Sequence, residues 1–323
     1  MVNVIIPVAG EGTRLRPHTH AIPKSLLCVA GKPILGHILD HLEGLDISTL
    51  SVVLGEKGES VIDFCRKYPY EFKYVFQEER LGLGHAVRLG AQGLTGATMV
   101  LLGDTIIDID YHSFCSNDVN VLAVKEVEDP QRFGVVEVKG DNVIRVEEKP
   151  KQPQSNLAIV GLYYFQHVEK VSDAINYIME KDIKTRNEYQ LTDALRYLLD
   201  IGEKFRIAKI EKWYDCGTAA SLLDTNRHLL KKTQHYTKRG DSIIIPPVYI
   251  ADSASITEAI IGPNVSIGDD VMIKDSIVKD SIINNGAKVE NALLMESIVG
   301  VKASVKSGYK RLSVSDSSVV EFP

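Results

Sequence analysis

From Ile244 onward the chain places a branched aliphatic residue at intervals close to six. Val248 and Ile250 are followed by Ile256, Ile261, Ile267 and Ile273, with Gly262, Asn264, Gly268 and Asp269 in the turns between. A repeat this short cannot bury its own apolar face, so it must stack on further copies of itself. The architecture that satisfies a six-residue period is a left-handed parallel β-helix, each flat face taking one hexad and the interior taking the aliphatic residue. The pattern runs on less regularly through Ile277, Ile282, Val289, Leu293, Ile298 and Val305, and is lost over 306–323, which reads as an end cap or a frayed segment.

Ahead of the repeat the rhythm is different. Residues 2–8, 50–54 and 72–76 are apolar runs that read as buried strands, while 33–42 and the set Val61, Phe64, Cys65 and Tyr68 carry apolar residues at helical spacing. Strand and helix in alternation predict an α/β domain with a Rossmann-like, mostly parallel sheet covered by helices on both faces. Between Asn120 and Phe165 the strands alternate with short turns, Lys139-Gly140-Asp141-Asn142 reading as a hairpin connection. Further helices are predicted over 168–179 and 219–232, with Thr218 capping the second and Thr192 capping another that begins beside it. The expected organisation is an α/β domain over 1–235 and a small β-helix over 241–323.

The first strand runs into Ala9-Gly10-Glu11-Gly12-Thr13-Arg14-Leu15-Arg16-Pro17, and Pro23-Lys24-Ser25-Leu26-Leu27 follows. Two glycines let the backbone turn sharply and approach a ligand closely. Backbone N–H groups freed by such a turn can cradle anionic oxygens, to which Arg14 and Lys24 add full charges. The chain carries a net charge of -6, yet no Asp or Glu falls between Gly12 and Leu39, where Arg14, Arg16, Lys24 and Lys32 all lie. One basic island on an acidic protein suits a small phosphorylated ligand and argues against nucleic acid as partner.

A strand ending in Gly103-Asp104 puts a carboxylate where Mg²⁺ could be held, because that ion takes one or two carboxylates beside phosphate oxygens. The bland reading of Asp104 is a turn residue bonded to its own backbone. Cys28, Cys65, Cys115 and Cys216 have no paired spacing, which argues against a zinc site or a disulfide framework. No apolar run approaches the ~20 residues of a membrane span and the start lacks a charged signal segment, so no membrane partner and a cytoplasmic address are expected.

Gly-x-Gly-Thr-Arg-Leu-Arg-Pro joined to Pro-Lys-x-Leu-Leu resembles the signature loop of the sugar-1-phosphate nucleotidylyltransferases, which make nucleoside-diphosphate sugars. The dinucleotide fingerprint needs a third glycine at a different spacing. The resemblance implies that Ala9, Gly10, Gly12 and Thr13 wrap a nucleoside triphosphate while Arg14 and Lys24 hold phosphate oxygens during transfer. Gln77 and Gly82 have the family's spacing for the base pocket, and Leu-Gly-x-Gly-His-Ala-Val is closest to members using UTP, with dTTP enzymes only slightly different. Asp104 and Asp215, the latter in Asp215-Cys216-Gly217-Thr218, would hold Mg²⁺. Gly134, Glu148 and Ile159 would meet the sugar and Lys149 its phosphate, with Glu188 in support.

The implied reaction joins a pyrimidine nucleotide from UTP or dTTP to a sugar-1-phosphate, glucose-1-phosphate by default, and releases pyrophosphate. Mannose-1-phosphate guanylyl transfer and a regulatory homologue that binds nucleotide sugar without catalysis are the alternatives. An acyltransferase built on the β-helix is disfavoured because no histidine follows His235 to act as base. Self-association through sheet or β-helix contacts is expected. Two features strain the picture: Pro7 predicts a bulge or an early end to the first strand, and Glu11 must point away from the triphosphate.

Overall fold

The computed structural model describes residues 1–237, 241–308, 313–315, 317 and 319. Contacts divide the chain into two compact units, Met1–Cys28 with Lys32–Thr225, and Val29–Gly31 with Asn226–Pro323.

In the first unit, strand β1 (Val2–Pro7) leads to the two-residue strands β2 (Cys28–Val29) and β3 (Lys32–Pro33). Then come α1 (Ile34–His41), β4 (Ile47–Leu54), α2 (Gly58–Cys65), β5 (Phe72–Phe76), α3 (Leu83–Ala91), β6 (Thr98–Leu101) and β7 (Thr105–Asp108). The chain continues through α4 (Tyr111–Cys115), β8 (Asn120–Glu126), β9 (Gly134–Lys139), β10 (Asn142–Glu148), β11 (Leu157–Phe165), α5 (Val168–Glu180), α6 (Leu191–Asp200), β12 (Phe205–Lys209), β13 (Lys212–Asp215) and α7 (Ala219–Leu230). Nine strands form one Rossmann-like sheet in the order β5-β4-β1-β6-β11-β8-β12-β10-β9. Parallel pairing joins β5, β4, β1 and β6 and recurs between β8 and β12, whereas β11, β10 and β9 enter antiparallel. Because β1, β5 and β6 run the same way, the loops that follow them emerge at one edge of the sheet, where open α/β sheets gather their ligands.

Burial explains the rigidity of that edge. Val4, Ile5 and Ile6 of β1 are fully buried, and β11 is buried at every position. Pro7 forms no bulge: β1 keeps register through Pro7 opposite Val53 and ends there, its one irregularity lying at Val2/Asn3. The Pro7 carbonyl accepts from Gly103 N–H at 3.2 Å, so the missing proline donor falls where the β6 pairing has already ended. Thr192 is not a cap, since α6 is preceded by Gln190 and its second residue is Thr192. Thr218 does cap α7, its Oγ1 accepting from Ser221 N–H at 3.2 Å.

The second unit contains a left-handed β-helix of three four-stranded parallel sheets. One holds β14 (Ile243–Ile244), β17 (Ile260–Ile261), β20 (Ile277–Lys279) and β23 (Leu293–Met295); the next holds β15 (Val248–Ile250), β18 (Val265–Ile267), β21 (Ile282–Ile283) and β24 (Ile298–Val299); the third holds β16 (Ser255–Thr257), β19 (Met272–Lys274), β22 (Lys288–Glu290) and β25 (Ser304–Lys306). Its coils are shorter than three full hexads. Ile250 pairs with Ile267, Ile267 with Ile283 and Ile283 with Val299, steps of 17, 16 and 16 residues.

The shortfall arises at corners made by one left-handed residue. Glu258, Asp275, Asp280, Asn291 and Glu296 all have positive φ, and each shortens its face from six residues to five. A one-residue change reverses which side chain points inward. Val278 is therefore fully buried and Leu294 packs on the core, while Ile277 and Leu293, expected inside, are 43% and 81% exposed. Lys306 still belongs to a strand, and ten of the remaining seventeen residues of the expected end cap lie outside the described residues.

Candidate active site

A cleft of about 740 Å³ lies in the first unit, and its walls include all fourteen residues singled out in the sequence together with Glu188. The loop after β1 forms one side. Gly12 adopts φ +64°, and a Cβ there would lie 2.9 Å from Thr19 Cγ2 and 3.1 Å from Lys24 Cβ, so the turn requires glycine. Thr19 Oγ1 donates to the Gly12 carbonyl at 2.8 Å and closes the loop. The short turn Thr13–Leu15 then buries Leu15 and leaves Arg14 outward.

Lys24 opens a second short turn and is only 9% exposed, unusual for an ammonium group. Its Nζ meets Asp104 Oδ2 at 2.5 Å. Burial pushes the Asp104 carboxyl up, but the Lys24 charge, hydrogen bonds from Lys24 and Thr105, and the Arg14 charge outweigh it and hold the group below its ordinary value. Asp215 reaches the same place from more than a hundred residues away because β7 and β13 pair antiparallel, setting Asp215 opposite Thr105, while Cys216 N–H donates to the Asp104 carbonyl at 3.1 Å. Burial raises the Asp215 carboxyl and the Asp104 charge raises it further, against Lys24, Arg14 and Arg132.

Two carboxylates, one held anionic and one disfavoured as an anion by its neighbour, form a site that a further cation would relieve. Among the described residues no group of three or more His, Cys, Asp or Glu comes together to cage a metal. The hard oxygens of Asp104 and Asp215 fit Mg²⁺, and these are the residues that would hold it. Gly217 keeps the approach open, since a Cβ there would sit 2.9 Å from Asp215 Oδ1 and 3.2 Å from Arg14 Nη2.

A further part of the wall comes from the β9–β10 hairpin. Register places Gly134 against Glu148, and Lys149, in the left-handed region at φ 43°, donates its N–H to the Phe133 carbonyl at 3.0 Å. A Cβ on Gly134 would be 2.9 Å from Thr192 Cγ2 and 3.0 Å from Glu148 Oε2, with Ile159 Cδ1 at 3.6 Å. Glu148 has both oxygens engaged: Oε1 meets Lys149 Nζ at 2.9 Å, and Oε2 accepts from Thr192 Oγ1 at 2.6 Å. Thr192 is thus a site residue that sequence reasoning took for a cap. Trp213, missed altogether, lines the cleft edge-on to Phe133 with centroids 5.2 Å apart; its position two residues before Asp215 on a strand, hence on the same face, was the available signal.

At the end of β5, Gln77 is buried and its amide orientation is dictated by neighbours. Nε2 donates to the Gly82 carbonyl at 3.2 Å and lies 3.1 Å from His85 Nδ1. An amide nitrogen only donates, so Nδ1 is the acceptor in this pair, and burial lowers the His85 pKa in keeping with that role. Both amide hydrogens are consumed, which leaves Oε1, an acceptor, for any ligand. Gly82 has φ +113° and lies so close to the Tyr189 carbonyl that a Cβ would come within 2.7 Å of its oxygen.

The sequence description of the Nucleotidyl transferase family matches residues 3–232, and that of the GMPPB C-terminal domain matches 244–320. The chain is similar to the bifunctional protein GlmU of Methanocaldococcus jannaschii, 34% identical over 79% of this chain; it covers only 61% of that longer protein. It is also similar to a glucose-1-phosphate thymidylyltransferase of Streptomyces antibioticus, 29% identical over 99% of both chains. A solved UDP-glucose pyrophosphorylase complexed with UDP-glucose superposes with a TM-score of 0.62 at 25% identity, over 72% of this chain and all of the other.

Proposed function

We propose that this chain, which belongs to the nucleotidyl transferase family, joins a sugar-1-phosphate to the nucleotidyl group of a pyrimidine nucleoside triphosphate and releases pyrophosphate. The observation that carries the reading is the convergence on one cleft of the glycine loop, a buried lysine, two carboxylates more than a hundred residues apart and the Gly134 hairpin.

A sugar-phosphate oxygen attacks the α-phosphorus, a new P–O bond forms, and the bond from that phosphorus to the bridging oxygen breaks. A phosphate ester has its second pKa near ~6, so the nucleophile is ionised at neutral pH and no general base is needed. What remains is to hold two anions in line and stabilise charge on the phosphoryl oxygens. Arg14 and Lys24 do this for the triphosphate and Lys149 for the sugar phosphate, while Ala9, Gly10, Gly12 and Thr13 contribute backbone. Asp104 and Asp215 would hold Mg²⁺, which when bound supplies electrophilic charge at the phosphoryl oxygens. Gly134 and Ile159 leave room for the sugar ring, and Glu148 is presented to its hydroxyls.

The Gln77 acceptor supports a base with an N–H on the edge it faces, as uracil and thymine have at N3. Guanine also offers an N–H on that edge, so a guanylyl transfer is the second reading the same atom favours. Glucose-1-phosphate is the proposed acceptor, and a cytoplasmic address belongs to the same reading. Self-association through the β-helix is supported by the outward row Ile243, Ile260, Ile277 and Leu293, in register on one face, whose rung spacing a second copy would match.

Pyrophosphate release with Mg²⁺, crossing UTP, dTTP, GTP, ATP and CTP with glucose-, mannose- and glucosamine-1-phosphate, tests the reading. Turnover with UTP or dTTP is expected, with Lys24→Ala and Asp104→Ala each slower by at least ~10²-fold. Asp104→Ala within a factor of two of the parent would remove the metal assignment, and preference for GTP would install the second reading.

A further inference from the structure

Glu11 is the one acidic side chain in the glycine loop, and its carboxylate is bound on both oxygens. Its Oε2 holds Arg16 Nη2 at 2.9 Å, while its Oε1 meets Arg80 Nη1; Arg80 reaches Glu56 as well, at 3.4 Å. Glu11 and Arg80 line the main cleft. With Arg16, Lys57 and His20 they also line a side cavity of about 90 Å³ behind the loop, on the flank of Gly55–Gly58. One carboxylate shared by two guanidinium groups is the arrangement a phosphate makes, because each fork matches a pair of anionic oxygens.

The pair is badly placed to serve folding. Glu11, Arg16 and Arg80 side chains are 36%, 50% and 40% exposed, and ion pairs this open contribute little to stability. Gly10 beside it has nothing within 4 Å of where a Cβ would lie, so the Glu11 segment has space in which to move. Neither Arg16 nor Arg80 has a role in the transfer described above.

We infer that Glu11 is a resident substitute for phosphate: it holds Arg80 on the wall of the cleft and Arg16 on the adjoining side cavity, and the terminal phosphates of the nucleotide displace it and take both arginines. Glu11 is on this view a positioning residue. It competes with the ligand for the same two cations, weakening the grip on pyrophosphate and speeding its departure after transfer. The inference rests on the nucleotidyl-transfer reading for its ligand, but binding of pyrophosphate alone is enough to test it.

Equilibrium binding of inorganic pyrophosphate to the full chain, with Mg²⁺, is measured for the parent, Glu11→Gln, Arg80→Gln and the double variant. Glu11→Gln is expected to bind about three- to tenfold tighter and to lower KM for the nucleotide, whereas Arg80→Gln binds about tenfold more weakly. In the double variant most of the gain from Glu11→Gln disappears, since one of the freed cations is gone. A purely structural Glu11 predicts the opposite sign, with Glu11→Gln binding more weakly or within twofold of the parent, and that result overturns the inference. Glu11→Ala is the second variant, and a melting temperature near the parent's shows that either change is read at the site. Inorganic phosphate serves as the other arm: if it shows the same gains at equal or lower concentration than pyrophosphate, the site takes free phosphate and the assignment to the nucleotide tail fails. Tighter pyrophosphate binding by Glu11→Gln without turnover on any sugar-1-phosphate would leave the inference standing and sink the transfer reading; turnover without that gain would do the reverse.

Discussion

Glu148 is held ready by two neighbours of opposite kind. Lys149 offers a full charge to one oxygen, and Thr192 offers a hydroxyl to the other at 2.6 Å. Removing the hydroxyl while keeping its shape leaves a carboxylate free to rotate toward Lys149, so Thr192→Val should raise KM for sugar-1-phosphate about tenfold and alter kcat less than threefold, as expected for loss of one hydrogen bond to a charged group. Steady-state kinetics varying the sugar phosphate at saturating nucleotide would decide it, and an unchanged KM would return Thr192 to a packing role. Lys24 and Asp104 of the cleft were legible from their type and their place after apolar strands, whereas Asp215 and Gly134 were named through the family resemblance. Thr192 and the Gln77 amide were not legible, because a hydroxyl suits caps and sites equally and an amide shows which end is free only when its neighbours, here Gly82 and His85, are in place.

At the level of elements, the α/β alternation and the β-helix could both be read from apolar spacing, whereas the pairing of β7 with β13 could not. Nothing in the spacing of Asp104 and Asp215 says that an antiparallel ribbon brings them together. The β-helix register failed for a different reason: an average near six hides the five-residue faces that turn on Glu258, Asp275, Asp280, Asn291 and Glu296. These corners yield a sharp contrast. Ile267 is fully buried, so Ile267→Ala should cost about 2–5 kcal/mol, while Leu293→Ala at an 81% exposed position should fall within about 0.5 kcal/mol of the parent. Urea unfolding of the two variants measures this, and a large loss for Leu293→Ala would mean that a partner covers the outward face.

On the scale of the whole molecule, the division into units does not follow the order of the chain. Val29–Gly31 belong to the second unit with everything from Asn226 onward. Asn226 Oδ1 accepts from Ala30 N–H at 2.8 Å and from Ser266 Oγ at 2.6 Å, and the Tyr249 ring covers Gly31, where a Cβ would lie 2.4 Å from it. With φ at +81° as well, Gly31→Ala should lose stability by about 2 kcal/mol or more, visible as a lowered urea midpoint, and a midpoint equal to the parent's would mean that the ring can move aside. The same interleaving has a consequence in time. Ala30 leaves the ribosome roughly 200 residues before Tyr249 and Ser266 exist, and at about 5–20 residues per second the interval is on the order of ten to forty seconds. Until Asn226 is made the Ala30 N–H is left to water, so a loop near the start of the chain gains its partners only after well over half of the protein has been synthesised.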